Sequence, residues 1–316
     1  MNFALPRLGF GGAPLGGLYA PVSQQQAHDT LQAAWDCGLR YFDTAPLYGY
    51  GVSEQRLGEF LRGFPREEFI VSTKAGRSLV PRTNGNDASG SLGQFHADSP
   101  YTAAFDFSAD AIRNGVEQSL LRLKVETIDI VYLHDPDDHL DRAISCAFPA
   151  LLKLREEGLV RAIGAGTNRT EPLVRLIEAC DLDVVMLAGR YTLLDASAAD
   201  RVLPLCKQRG VRVVAGGVFN SGILAQESLD SSATYDYQRA GSDLVNRARR
   251  VSEIAGRFGV GLRTAAIAFA LRQPAIDSVV LGMRSAAEVR DNILAANTSV
   301  PEALWEALAS ESLLPQ

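Results

Sequence analysis

Eight times in succession the sequence places a short apolar run before a longer amphipathic one, and this alternation constrains the fold more than any other feature. The apolar runs predict strands over 8–12, 40–44, 69–74, 128–134, 162–165, 184–188, 211–215 and 278–281. Ile128-Asp129-Ile130-Val131-Tyr132-Leu133 is nearly continuous in apolar residues, as a parallel strand covered on both faces must be. Between the runs, 3.6-residue periodicity predicts helices over 24–37, 54–61, 109–123, 140–157, 171–179, 196–208, 243–258, 262–271, 286–295 and 301–310. Ser23, Ser53 and Ser108 stand where the first three need an N-cap, and Gly38 and Gly63 where the first two must stop.

Eight such units predict an α/β chain closed into a (β/α)₈ TIM barrel, not an open doubly wound sheet. An open dinucleotide-binding sheet would carry Gly-x-Gly-x-x-Gly after its first strand, and Gly9, Gly11, Gly12, Gly16 and Gly17 lack that spacing. No linker divides the chain, so residues 1–316 are expected to form one domain. Two connections, 75–107 and 217–242, are too long for turns. Both leave carboxyl ends of strands, where long loops cover a barrel's active site. The first contains Asn84-Gly85-Asn86-Asp87-Ala88-Ser89-Gly90-Ser91 and the second Tyr235-Asp236-Tyr237.

Charge narrows the function. A net charge of −6 without a basic block points away from nucleic acid and membrane surfaces. The amino terminus has no basic segment leading into an apolar stretch, and a cytoplasmic location is expected. Cys37, Cys146, Cys180 and Cys206 lie far apart in apolar helical contexts and read as buried free thiols. The four histidines show no ligand spacing, so no metal is expected.

The chemistry gathers at strand ends. Asp43 and Tyr48 follow the second strand, Lys74 ends the third and His134 the fourth, so a barrel brings all four to one rim. A tyrosine that ordinarily titrates near 10 needs a neighbouring ammonium to lower its pKa before it can act as a base. Asp43 would hold Lys74 charged, and His134 would hydrogen-bond a substrate oxygen. The set suits proton transfer coupled to a hydride moving elsewhere. A Schiff-base aldolase using Lys74 is another use of the same barrel.

Three segments resemble aldo-keto reductase signatures in order and separation. They are Tyr41-Phe42-Asp43-Thr44-Ala45-Pro46-Leu47-Tyr48-Gly49 with Ser53-Glu54, Ser72-Thr73-Lys74, and Asp129 to His134. The resemblance implies that Asp43, Tyr48, Lys74 and His134 form a catalytic tetrad, with Tyr48 carrying the proton and a nicotinamide cofactor extended across the mouth. It also implies cofactor contacts at Thr167 and Asn168, around Gly216, Val218 and Phe219, and at Gly282, Arg284, Glu288 and Asn292. Ser285 independently opens a helix whose first amides could hold a phosphate. Ala188 stands where many relatives have a Gln, and Gly216 where many have an aromatic residue. Glu288 should repel a 2′-phosphate while Arg284 would attract one; NAD is favoured, with NADP tolerated.

Within that family, Gly11-Gly12-Ala13-Pro14-Leu15-Gly16, His134-Asp135-Pro136-Asp137, the run from Leu187 to Asp195, and Gly217-Val218-Phe219-Asn220-Ser221-Gly222 resemble a branch of D-threo-aldose (L-fucose) and L-galactose dehydrogenases. The implied reaction is oxidation of an aldose hemiacetal to its lactone; pyridoxal 4-dehydrogenase belongs to the same branch and gives the alternative substrate. A nucleotide-binding sensor with little turnover is the alternative of another class. Tyr19, Tyr50 and Asn220 are candidate substrate-wall residues because each adjoins a rim motif. A small-molecule partner is expected, with the chain a monomer or weak homo-oligomer.

Overall fold

The computed structural model describes residues 3–83, 95–226, 229 and 233–315. The strands are β1 (Leu8–Gly11), β2 (Tyr41–Asp43), β3 (Ile70–Ala75), β4 (Arg77–Pro81), β5 (Tyr101–Phe105), β6 (Ile128–His134), β7 (Val160–Thr167), β8 (Val184–Ala188), β9 (Arg212–Gly216), β10 (Thr234–Tyr235), β11 (Gln238–Arg239) and β12 (Ser278–Gly282). Eight of them close a barrel in the order β1-β12-β9-β8-β7-β6-β3-β2, every neighbouring pair parallel. The expected (β/α)₈ architecture is therefore the observed one.

Period-two alternation divides the strands' side chains between two cores. Tyr41, Ile130, Tyr132, Ala162, Val184, Met186, Val214 and Val280 fill the barrel, with Leu5 joining them and Phe3 packed against the cluster. Alternate residues such as Phe42, Val131, Leu133 and Ile163 face outward into the larger core.

The helices supply the other side of that core: α1 (Gln24–Asp36), α2 (Val52–Leu61), α3 (Ala109–Leu123), α4 (Leu140–Arg142), α5 (Phe148–Glu156), α6 (Thr170–Ala179), α7 (Val202–Arg209), α8 (Ser242–Arg257), α9 (Leu262–Leu271), α10 (Ala286–Asn297) and α11 (Glu302–Ser310). Ser23 and Ser108 cap α1 and α3 by accepting from the amides of Gln26 and Ala111. Ser53 does not cap α2: it lies within the helix, and its hydroxyl donates to the Gly12 carbonyl at 2.7 Å and meets Thr44 Oγ1 at 2.8 Å.

The helix expected over 140–157 is broken by a π-turn, Ala143–Ala147. Pro149 supplies no amide and would crowd the carbonyl four residues back; the wider turn accommodates it. The expected 196–208 segment is likewise a short 3₁₀ turn, Ser197–Ala199, followed by α7, which begins two residues before Pro204. Of the cysteines Cys206 is buried and the other three half-buried, all of them free thiols. No single helix among the described residues is long and apolar enough to cross a membrane.

Both long connections contain structure that strand periodicity did not reveal. The first holds the antiparallel pair β4–β5, and the second a 3₁₀ turn, Asn220–Ala225, and the small β10–β11 hairpin. The Asn84–Ser91 run lies outside the described residues.

Candidate active site

Strand pairing sets Asp43 of β2 opposite Ser72 of β3, and Lys74, two residues further along and on the same inward face, lies diagonally across from it. Lys74 Nζ donates to Asp43 Oδ2 at 2.7 Å and to the Thr44 carbonyl at 2.8 Å. The second Asp43 oxygen accepts from Ser72 Oγ at 2.7 Å, and Ser72 in turn meets Tyr41, which meets Tyr132. Burial works most strongly against the Lys74 ammonium, but the charges of Asp43 and Tyr48 and the hydrogen bonds to both together outweigh it and hold the lysine pKa above its ordinary value. A lysine kept as ammonium is a poor amine nucleophile, which argues against the Schiff-base reading.

Tyr48 sits on the turn between β2 and α2, half-buried, with Lys74 Nζ 4.6 Å from its ring centroid. Burial raises its pKa, the Lys74 charge opposes, Asp43 adds to the rise, and the result lies above the ordinary phenol range. The expected lowering by Lys74 is present but loses to desolvation. At rest Tyr48 is therefore a protonated donor, and its phenolate would depend on Lys74 for stability.

The turn is positioned by a backbone crossing that the sequence motif did not disclose. A Cβ on Gly16 would come within 2.4 Å of the Tyr48 carbonyl carbon, and one on Gly49 within 2.6 Å of the Gly16 oxygen. Behind the turn, buried Glu54 accepts from Thr73 and from Arg122, each at 2.6 Å, tying α2 to β3 and α3.

His134 ends β6 with its ring perpendicular to that of Tyr48, centroids 6.0 Å apart. Burial, then the charges of Arg77 and Lys74, depress its pKa well below the ordinary value, so the imidazole is neutral. Its Nδ1 is buried without a protein hydrogen-bond partner. The four rim residues thus meet as one constellation: a phenol, an ammonium–carboxylate pair beside it and a neutral imidazole facing it.

The cofactor candidates form an arc on the same rim. Gly216, ending β9, is buried, and an added Cβ would lie in ordinary contact with the Leu187 carbonyl oxygen and the Met186 side chain, at 3.9 Å or more. Asn168 is half-buried just past β7, its carbonyl accepting from Arg190 Nε at 2.5 Å. The Thr167 hydroxyl is turned to Asp137 at 2.7 Å and accepts from the Arg169 amide. The side chains of Val218 and Phe219 pack into the core.

At the far end of the arc, Gly282 ends β12 beside Pro14, and Ser285 caps α10 through the Glu288 amide. Glu288 folds back onto the Arg284 amide at 2.9 Å and lies 3.5 Å from its guanidinium. Asn292 is buried and accepts from Arg263 at 3.2 Å. The chemistry of the far end suits a dinucleotide's phosphate and ribose: a helix start at Ser285, and Arg284 beside Glu288.

The three substrate-wall candidates separate. Tyr19 stands at the opening, its ring 6.4 Å from that of Tyr237 at the tip of the β10–β11 hairpin. Tyr50 is buried beside Phe95 and Arg82. Asn220 is buried and braces two loops by donating to the Gly189 carbonyl at 3.2 Å, leaving its Oδ1 without a partner.

Sequence reasoning did not name Phe95, which stacks on Tyr48 at 5.8 Å, or Arg77, which pairs with Asp135. Arg190, which joins the Asn168 carbonyl to Asp195 and Asp236, and Asp135 both lie in runs singled out from the sequence, Leu187 to Asp195 and His134 to Asp137, but without a role of their own.

Residues 7–311 match the Aldo/keto reductase family. The chain is 44% identical over 319 residues to a D-threo-aldose 1-dehydrogenase of a Pseudomonas species, covering 99% of this chain and 96% of that protein. It is 38% identical over 326 residues to the pyridoxal 4-dehydrogenase of Microbacterium luteolum, covering 97% and 94%. The holo form of an aldo-keto reductase from Bacillus halodurans superposes with a TM-score of 0.75 at 23% identity, covering 98% of this chain and 92% of that one, a likeness of fold. The chain belongs to the aldo/keto reductase family and is an NAD(P)-dependent oxidoreductase.

Proposed function

We propose that the protein, with residues 1–316 acting as one catalytic domain, oxidises the anomeric carbon of an aldose of L-fucose or L-galactose type to the lactone, with NAD favoured as oxidant. Full-length similarity to the Pseudomonas D-threo-aldose 1-dehydrogenase carries this reading. Asn168, Gly216, Gly282, Arg284, Glu288 and Asn292 would hold the cofactor. When bound, the oxidised nicotinamide accepts the hydride from the anomeric carbon.

The protein's own residues manage the proton. Tyr48 first releases its own proton to solvent through the opening; the phenolate, stabilised by Lys74, then takes the anomeric hydroxyl proton, and Asp43 keeps Lys74 charged and in place. Neutral His134 hydrogen-bonds the reacting oxygen and turns its carbon toward the nicotinamide. The Glu288–Arg284 contact favours NAD, because a 2′-phosphate would have to displace one charge and approach the other.

The 38% identity to pyridoxal 4-dehydrogenase supports a second substrate on the same mechanism, since pyridoxal also closes to a cyclic hemiacetal. Reduced-nicotinamide formation should be followed with L-fucose, L-galactose, D-arabinose and pyridoxal, each with NAD and NADP. Turnover of a sugar with NAD supports the aldose reading. Turnover of pyridoxal alone replaces it with the second.

A further inference from the structure

Asp135 follows His134 at the mouth, yet the proton-transfer set makes no use of it. Its backbone stands in the left-handed region, with a φ of 45°, and its amide donates to the Gly166 carbonyl at 2.9 Å. Such a conformation is strained for a residue with a Cβ, and strain of this kind gathers where a side chain must be aimed. Here it aims a carboxylate at the opening: Asp135 Oδ2 lies 3.8 Å from His134 Nε2 and is paired with Arg77 of β4.

The 3.8 Å separation is too long for a direct hydrogen bond, so the carboxylate does not orient the imidazole. It does suit two oxygens on adjacent carbons, one meeting His134 and the next meeting Asp135. A carboxylate only accepts, and so selects a donor. Arg77 lets that charge persist in a shielded place, and Arg77 Nε is itself buried without a protein partner. The neighbouring carboxylate, Asp137, is turned instead toward the Thr167 hydroxyl, from which it accepts at 2.7 Å.

We propose that Asp135, backed by Arg77, receives the hydroxyl on the carbon next to the reacting one and so determines substrate specificity. The inference rests on the aldose reading. It makes the enzyme a reader of the adjacent stereocentre, a role separate from the proton transfer at Tyr48.

The test compares kcat/KM for L-fucose, its 2-deoxy analogue and its 2-amino-2-deoxy analogue, and the same three forms of L-galactose, with NAD. The wild-type enzyme should disfavour the 2-deoxy sugars by about 10²-fold or more, as sites built around a substrate hydroxyl do. The 2-amino sugars, which still present a donor, should be retained within about tenfold. Asp135→Asn and Asp135→Gly both tolerate a positive φ; they should raise KM for the hydroxy sugars and shrink the discrimination about tenfold, because the loss falls more heavily on the hydroxy than on the 2-deoxy sugars.

Equal wild-type rates with and without the hydroxyl overturn the proposal while leaving the aldose reading intact, and this outcome needs no variant to fold. Equal losses on all sugars in the variants also overturn it, since that pattern marks Asp135 as a brace for β4. Silence with every aldose removes the aldose reading, and the proposal with it, before any variant is made.

Discussion

The two ends of the barrel use the same residue types to opposite effect. At the amino end, Asp129, Asp183 and Asp277 each accept a backbone amide from the neighbouring strand, from Val71, Ile163 and Val213 at 2.8, 2.9 and 2.8 Å. Each is also matched by arginine: Arg66 and Arg161 on Asp129, Arg155 on Asp183, Arg212 on Asp277. Arg66 Nε and Ser278 Oγ at that end lack a protein partner, but they lie away from the rim constellation; at the carboxyl end the open groups, His134 Nδ1, Arg77 Nε and Asn220 Oδ1, stand in or beside it.

Strain divides the same way. Of nine non-glycine residues with positive φ among those described, seven lie in loops leaving the carboxyl ends: Tyr19, Tyr50, Asp135, Asn220, Ser221, Asp236 and Tyr237. The ion-paired, unstrained end stabilises the barrel. The strained end keeps open polar groups at its rim, with capacity for ligands.

The contrast breaks if a change at either end produces the other end's phenotype. The largest expected effect is at Tyr48: Tyr48→Phe should lower kcat by about 10³-fold or more, with the melting temperature unchanged. Its mirror is Asp129→Ala, expected to lose about 2–3 kcal/mol of stability in urea denaturation through the orphaned Val71 amide, with kcat/KM unchanged. A large activity loss in a well-folded Asp129 variant would defeat the division.

Gly16→Ala lies between them. Its Cβ displaces the Tyr48 turn, and about a 10²-fold fall in kcat is expected with a smaller loss of stability. Glu288→Gln should raise the preference for NADP over NAD about tenfold by freeing Arg284, read from the ratio of the two kcat/KM values.

The smallest expected effect concerns pH. The folded state holds His134 far below its ordinary pKa, so the unfolded chain takes up the proton first. The stability gained from a neutral imidazole is therefore complete above about pH 6.5 and is lost below it, by up to ~1.4 kcal/mol per pH unit. Denaturation of wild type and His134→Gln between pH 7 and pH 5 should show the shallower slope in the variant.

What could be read from the sequence was what periodicity and strand register determine. The apolar run ending in His134 gave its strand to the residue, and strand ends placed Asp43, Lys74 and His134 on one rim. What escaped depends on contacts between distant segments. The β4–β5 pairing joins stretches separated by a long connection, and Arg77 meets Asp135 because the two follow β3 and β6, which pair with Ala75 against Leu133. The Gly16–Gly49 crossing is a matter of backbone proximity, not residue type. The Tyr48 shift went the other way from expectation because burial, invisible in a motif, outweighs the charge that the motif does show.

The packed interior behind the site has a last consequence. With Leu5 joining the side chains that fill the barrel, and Phe3 set against them, the described residues pack the axis as a core and not as a channel. Substrate, product and exchanging cofactor must share one opening, so the enzyme can separate arrivals from departures only in time.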